Sequence, residues 1–129
     1  MAKVLKRSKK TRHVVTEGVV YITATLNNTH VVVADKDGNV LSWATGGSSG
    51  FRGAREATPY AAQVTAENAL NKAKTLHSLE KAIVYVKGIG AGREQAIRGI
   101  ASASVDISAI FDITPVPHNG CRKKKVRKL

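Results

Sequence analysis

Apolar and polar positions alternate from Gly18 to Asn28 (GVVYITATLNN). Val20, Ile22, Ala24 and Leu26 fall on one side of an extended chain and Tyr21, Thr23 and Thr25 on the other, the period of a strand with one covered face. HVVVAD, residues 30–35, predicts a second strand and VLSWAT, residues 40–45, a third. Between them KDGN predicts a tight hairpin turn, because Asp37-Gly38 suits positive φ angles. The period then changes. In ATPYAAQ, Thr58 can cap a helix and Pro59 take its first position. Ala62, Ala66, Ala69, Leu70, Ala73 and Leu76 recur at spacings of three and four to about His77, with Gln63, Glu67, Asn71 and Lys74 facing away. KAIVYVK, residues 81–87, is a compact apolar run that predicts a strand covered on both faces. GIGAGRE turns into a second helix with Ala96, Ile97 and Ile100 on its buried stripe, and VDISAIFDI predicts a last strand, ended by Pro115 and Pro117.

The order βββαβαβ contains two strand-helix-strand units, which favour right-handed parallel crossovers. We therefore expect an α/β fold, a mixed five-stranded sheet with packed helices, whose topology resembles by analogy the ribonuclease H-like arrangement. Trp43 and Tyr60 are assigned to its core, which leaves no exposed aromatic series for reading single-stranded nucleic acid.

The chain has 129 residues, enough for one domain with an ordinary core. Charge divides it further. Its net charge is +12, yet residues 14–118 carry nine basic and nine acidic side chains. The excess lies in two acid-free ends: Lys3, Lys6, Arg7, Lys9, Lys10 and Arg12 at the start, and Arg122, Lys123, Lys124, Lys125, Arg127 and Lys128 at the close. The organisation expected is a basic arm over 1–13, an α/β domain over 14–116 and a second basic arm over 117–129. Like charges repel, so both arms should be disordered when free and ordered by a polyanion, of which nucleic acid is the commonest. An anionic membrane is disfavoured because neither arm has the apolar face of an interfacial helix. No apolar run reaches the ~18 residues of a membrane span, and the basic start lacks the apolar segment of a secretory signal, so an intracellular protein is expected. The lone Cys121 offers no internal disulfide.

Catalytic chemistry finds little support. Asp35 and Asp37 flank a turn where acids serve local hydrogen bonding, and Glu67 sits on a polar helix face. Asp106 and Asp112 share a face of the last strand but stand ~20 Å apart at strand rise. His13, His30, His77 and His118 lack ligand spacing, and Ser48 and Ser49 lack a nucleophile elbow. No catalytic residue, metal site or cofactor is assigned.

Binding chemistry is better represented. In KGIGAGRE, Gly88, Gly90 and Gly92 follow a strand and open a helix, with Lys87 and Arg93 beside them, but neither a dinucleotide fingerprint nor a phosphate-binding loop of the Walker type is complete. Two readings compete: glycines needed for the turn alone, or a backbone that approaches phosphate at a helix start. We favour the second. The loop Gly46, Gly47, Ser48, Ser49, Gly50, Phe51, Arg52, Gly53 and Arg55 joins glycines, hydroxyls and cations suited to folded RNA, with a plain connector as its alternative.

LNNT, GFRGARE running into ATPYAAQ, KGIGAGREQAIR and TPVPHNGCR follow one another in the order and spacing of the universal small-subunit ribosomal protein family numbered eleven, bacterial or organellar type. The resemblance spans nearly the whole chain. Ile89 and Ala91 stand where the family often has prolines between glycines, and Lys123 and Lys124 where prolines often follow Arg122. What it implies is a ribonuclease H-like body on the platform of the small subunit, without catalysis, bound to ribosomal RNA near the cleft for messenger RNA and tRNA. Small-subunit proteins of families six, seven, eighteen and twenty-one are the implied neighbours, on ribosomes of the cytoplasm or of an organelle's stroma or matrix. By family position the RNA contacts fall on Asn27 and Asn28, on the loop from Gly46 to Arg55, on Gly88 to Arg93 and on both arms, including His118, Asn119 and Gly120. The Asn119-Gly120 pair is also chemically prone to isoaspartate formation. A metal-dependent nuclease of the same topology is the alternative function.

Overall fold

The computed structural model describes residues 14–128. Strands β1 (Glu17–Ala24), β2 (Thr29–Ala34) and β3 (Val40–Thr45) precede a 3-10 turn at Gly53–Ala57. Helix α1 (Pro59–His77), strand β4 (Lys81–Gly88), helix α2 (Arg93–Ser102) and strand β5 (Asp106–Asp112) complete the chain order. The sheet runs β3-β2-β1-β4-β5, antiparallel through the first three strands and parallel where β4 joins β1 and β5. This is the ribonuclease H-like α/β arrangement the sequence pattern predicts. Residues 115–128 are exposed and form no helix or strand, and Lys3, Lys6, Arg7, Lys9, Lys10 and Arg12, expected to bind RNA, lie outside the described residues.

Alternation builds the core. Val20, Ile22, Val31, Val33, Ala44, Val84 and Val86 point to one side and meet the alanine stripe of α1 and the Ala96–Ile100 stripe of α2. α1 lies over β2 and β3, and α2 over β1, β4 and β5. Small residues let the helices touch: a side chain at Gly99 would meet the Gln63 carbonyl and Ala66. The Thr58 hydroxyl caps α1 by accepting from the Ala61 amide, with Pro59 in the first turn, and Ser78 closes the helix in a left-handed conformation.

Both helices occupy one side of the sheet, which corrects three expectations. β4 is covered by helices on one face only, and Ile83 and Tyr85 on its other face are half-buried among neighbouring strands. Trp43 is 57% exposed and Tyr60 67% exposed, so neither belongs to the core. Trp43 alternates onto the helix-free face of an edge strand, and Tyr60 lies on the outward side of α1's first turn. An aromatic row does lie on the helix-free face, with Tyr21 and Phe111 exposed and Tyr85 half-buried between them.

A fourth correction concerns β5. Its register shifts between Ala82 and Ile83, where Ile107 and then Ala109 are the successive partners. The bulge reverses the alternation, so Asp106, opposite Lys81, and Asp112, opposite Val86, point to opposite faces.

Candidate nucleic-acid interface

Sheet direction gathers the predicted RNA-facing segments at one end. β1, β4 and β5 point the same way, and β3 runs with them because each antiparallel step reverses direction. The β1–β2 turn with Asn27 and Asn28, the loop after β3, the loop from Gly88 to Arg93 and the tail after β5 therefore leave from the same edge of the sheet. The start of α1 joins them, since Pro59 borders the same cleft as Gly90 and Ala91.

These segments are tied to one another. The Thr25 hydroxyl accepts from the Asn28 amide (3.0 Å) and donates to its carbonyl (2.9 Å), closing the first turn. The Asn28 Oδ1 accepts from the Thr29 amide (2.8 Å) and, across the sheet end, from the Gly46 amide (3.1 Å). Asn28 thus clamps two predicted RNA segments together, a structural duty the sequence did not reveal. Asn27 beside it is exposed.

The glycine-serine loop is a folded unit. Ser49 N–H donates to the Thr45 carbonyl, Gly50 N–H to Gly47 and Phe51 N–H to Gly46. The Ser48 hydroxyl bonds back to Thr45, and Asn68 donates to Ser49 Oγ at 3.2 Å. Phe51 meets Tyr60 edge-on at 5.8 Å, anchoring the loop to α1. Arg52, Gly53 and Arg55 project as exposed residues, and neither arginine is in an ion pair among the described residues.

The loop after β4 settles on the β1–β2 turn. Gly90 N–H donates to the Ala24 carbonyl (3.0 Å), and Gly92 is backed by Thr29 and Ala62. Close packing therefore requires these glycines in its own right, whatever the loop binds. Gly92 opens α2 without a side-chain cap. Arg93 pairs with Asp112 at 2.5 Å, and the Thr114 hydroxyl donates to Asp112 Oδ1 (2.6 Å) while accepting from the Gly88 amide (3.2 Å). The Thr114 hydroxyl and amide, helped by Arg93, hold the Asp112 carboxyl down at about 2, so it stays ionised and fixes the root of the tail. The pair and its neighbours border a cleft of about 490 Å³ between α2 and β5. Lys87 is exposed beside it, as are His118, Asn119, Gly120 and the cations Arg122, Lys123, Lys124, Lys125, Arg127 and Lys128. Among the described residues, no group of three or more His, Cys, Asp or Glu could hold a metal ion.

Acidic groups collect at the opposite end. Glu17, Asp35, Asp37, Glu80 and Asp106 lie at strand starts or in the β2–β3 hairpin, five of the nine acids in the chain. The tail cations, Arg52, Arg55 and Lys87 are thus separated from most of the negative charge.

A body with its unpaired cations and backbone-rich loops at one sheet end, and no assembled carboxylate centre among the described residues, has the features of an α/β RNA-binding protein. More specifically, the family model described as ribosomal protein S11 matches residues 18–128, and the chain belongs to that family. It is 54% identical over 121 residues to the small ribosomal subunit protein uS11 of Borreliella burgdorferi (strain ZS7), covering 94% of this chain and 92% of that one. It is 47% identical over 124 residues to uS11 of Aquifex aeolicus (strain VF5), covering 96% and 98%. With uS11 of Hydrogenovibrio crunogenus (strain DSM 25203 / XCL-2) the identity is 50% over 130 residues, covering both chains in full.

Proposed function

We propose that this chain, a structural small-subunit ribosomal protein by family, holds ribosomal RNA with the loop-bearing end of its sheet and its basic arms, and takes no catalytic part. The observation that carries this reading is the convergence of the Asn27–Asn28 turn, the Gly46–Arg55 loop, the Gly88–Arg93 loop and the tail on one end, away from most of the acids. In the proposed setting the body sits on the platform near messenger RNA and tRNA, beside small-subunit proteins of families six, seven, eighteen and twenty-one, on ribosomes of a bacterial cytoplasm or an organelle. The domain and its two arms, over 14–116, 1–13 and 117–129, divide the work: the body recognises shape and the arms neutralise phosphate.

Arg52→Ala and Arg55→Ala should each weaken binding to small-subunit ribosomal RNA and lower the logarithmic salt slope by about one or less, without altering the melting temperature. Filter binding across a salt series reads both parameters, and unchanged affinity in both variants would remove the loop from the interface. Arg93, held by Asp112, should give the smaller loss of the three arginines at this end.

Asn119 is exposed, with φ of 54°, and Gly120 follows it. With no side chain on the next residue to obstruct it, the backbone nitrogen can close on the Asn119 amide to a succinimide and then isoaspartate. The free protein should accumulate isoaspartate faster than the RNA-bound protein. Peptide mapping with an isoaspartate-specific enzyme measures both rates, and equal rates would mean that RNA does not restrain this part of the tail.

A further inference from the structure

We infer that the sheet face opposite the two helices is a docking surface for an amphipathic helix of another protein of the small subunit, one whose apolar stripe is flanked by basic residues. The inference rests on the ribosomal reading above. Register places Trp43, Val32, Tyr21, Tyr85 and Phe111 in one row across all five strands. Ile83 and Ala109 continue the apolar surface in the next row, toward the strand starts. Tyr21, Trp43 and Phe111 are between 40 and 57% exposed. Four interstrand gaps and about six residues of strand give this face an extent of roughly 20 by 20 Å. An apolar patch of a few hundred Å² marks an interaction site more often than bare surface, and the layer missing from a two-layer α/β fold is a helix.

The geometry of the rings favours protein over nucleic acid. Tyr21 and Tyr85 have centroids 5.5 Å apart with planes at 15°, and Tyr85 and Phe111 5.4 Å apart at 23°. Near-parallel rings at that separation cannot lie side by side on the sheet, because their edge carbons would approach closer than the ~3.5 Å of carbon contact. They are stacked with an offset instead. Both faces of Tyr85 and one face each of Tyr21 and Phe111 are turned toward a neighbouring ring, whereas base stacking needs open ring faces.

Charge points the same way. Glu17 and Asp106 balance Lys81 and Lys87 on this face, leaving no net charge to neutralise phosphate. At the strand-start end Glu17 is paired with Lys36 of the β2–β3 hairpin and Asp106 lies opposite Lys81, so Asp35 and Asp37 of that hairpin supply the acidic excess that complements basic residues beside a partner's apolar stripe. At the other end Lys87 leads into the Gly88–Arg93 loop, so the two surfaces are continuous and a protein seated on the sheet would border the RNA.

Hydroxyl-radical footprinting read by mass spectrometry tests this on three samples: the free protein, its complex with small-subunit ribosomal RNA, and the complete small subunit. Oxidation of Tyr21, Trp43 and Phe111 should change less than twofold when RNA binds and fall at least fivefold in the complete subunit. Phe51 and Tyr60, on the loop side, should already be protected by RNA. Protection of the sheet rings by RNA alone, persistent reactivity in the complete subunit, or protection that grows with concentration of the free protein would each overturn the inference. Failure of RNA to protect Phe51 and Tyr60 would count against the loop reading and leave the sheet result standing. A photoreactive benzophenone side chain at position 43 should then crosslink, in the complete subunit, to a protein peptide with apolar residues at spacings of three and four and Lys or Arg beside them. A crosslink to RNA, or to a peptide without that pattern, would overturn it.

Discussion

Cutting the chain after His118 should leave its melting temperature within a degree or two and flatten the salt dependence of RNA binding by about three to five units. The first half follows from burial. Residues 115–128 are exposed, and the last contacts that tie the chain to the sheet, Ile113 to Val86 and Thr114 to Asp112 and Gly88, precede the cut. Removing exposed chain that belongs to no helix or strand changes stability little. The second half follows from charge: six cations leave with no acid among them, and each phosphate neutralised contributes roughly 0.7 to 0.9 to the logarithmic slope. Loss of affinity should be greatest at low salt. Replacing the six cations by Gln should reproduce it, and reversing the order of the last eight residues should restore much of it, because the arm acts through charge. Thermal melts and binding isotherms across a salt series give the two halves independently. A lower melting temperature with an unchanged slope would make the tail a structural element and end the reading of it as an RNA-seeking arm.

What could be read ahead of the structure depended on whether the cause was local. Strands, helices, the Thr58 cap and the Pro59 start are set by periodicity and by residues a few positions apart, and they appear where the pattern puts them, except that β1 stops at Ala24 and Leu26, read onto its apolar face, stands 72% exposed in the turn that Thr25 and Asn28 close. Trp43 and Tyr60 show the limit. Size and hydrophobicity suggested burial, but the crossovers put both helices on one side of the sheet and leave Trp43 on the bare face, while Tyr60 lies on the outward side of α1's first turn. Alternation failed in β5 because a bulge inserts one residue, and nothing in DISAIFD marks it. The candidate interface was legible as segments and charges, in part through family resemblance, while its internal ties were not. Asn28 spans 18 residues to reach Gly46, and Arg93 spans 19 to reach Asp112, distances over which no sequence spacing carries a signal.

Gly88→Ala should destabilise the protein by about 3 to 5 kcal/mol, lowering the melting temperature by roughly 15 to 30 °C. Two causes combine. Gly88 has φ of +107°, a conformation that costs a residue with a side chain ~1–3 kcal/mol. A Cβ there would also collide with the Ala24 carbonyl oxygen, and that carbonyl is held in place by the Gly90 amide at 3.0 Å. Relief would require β4 to part from the end of β1, where Gly88 lies opposite Ala24. Gly38 separates the causes: its φ is +92° but nothing lies within 4 Å of its added Cβ, so Gly38→Ala should cost only about 1 kcal/mol. The difference between the two variants, from denaturant melts of each, measures the collision alone. Because Gly88 also seats its loop against the Asn27–Asn28 turn, the variant should lose affinity for RNA even at temperatures where it stays folded. Its salt slope should change little, since no cation has been removed. Equal stability losses at Gly38 and Gly88 would mean that the β4 loop is not fixed by contact with β1, and the packing account of this end of the sheet would fail.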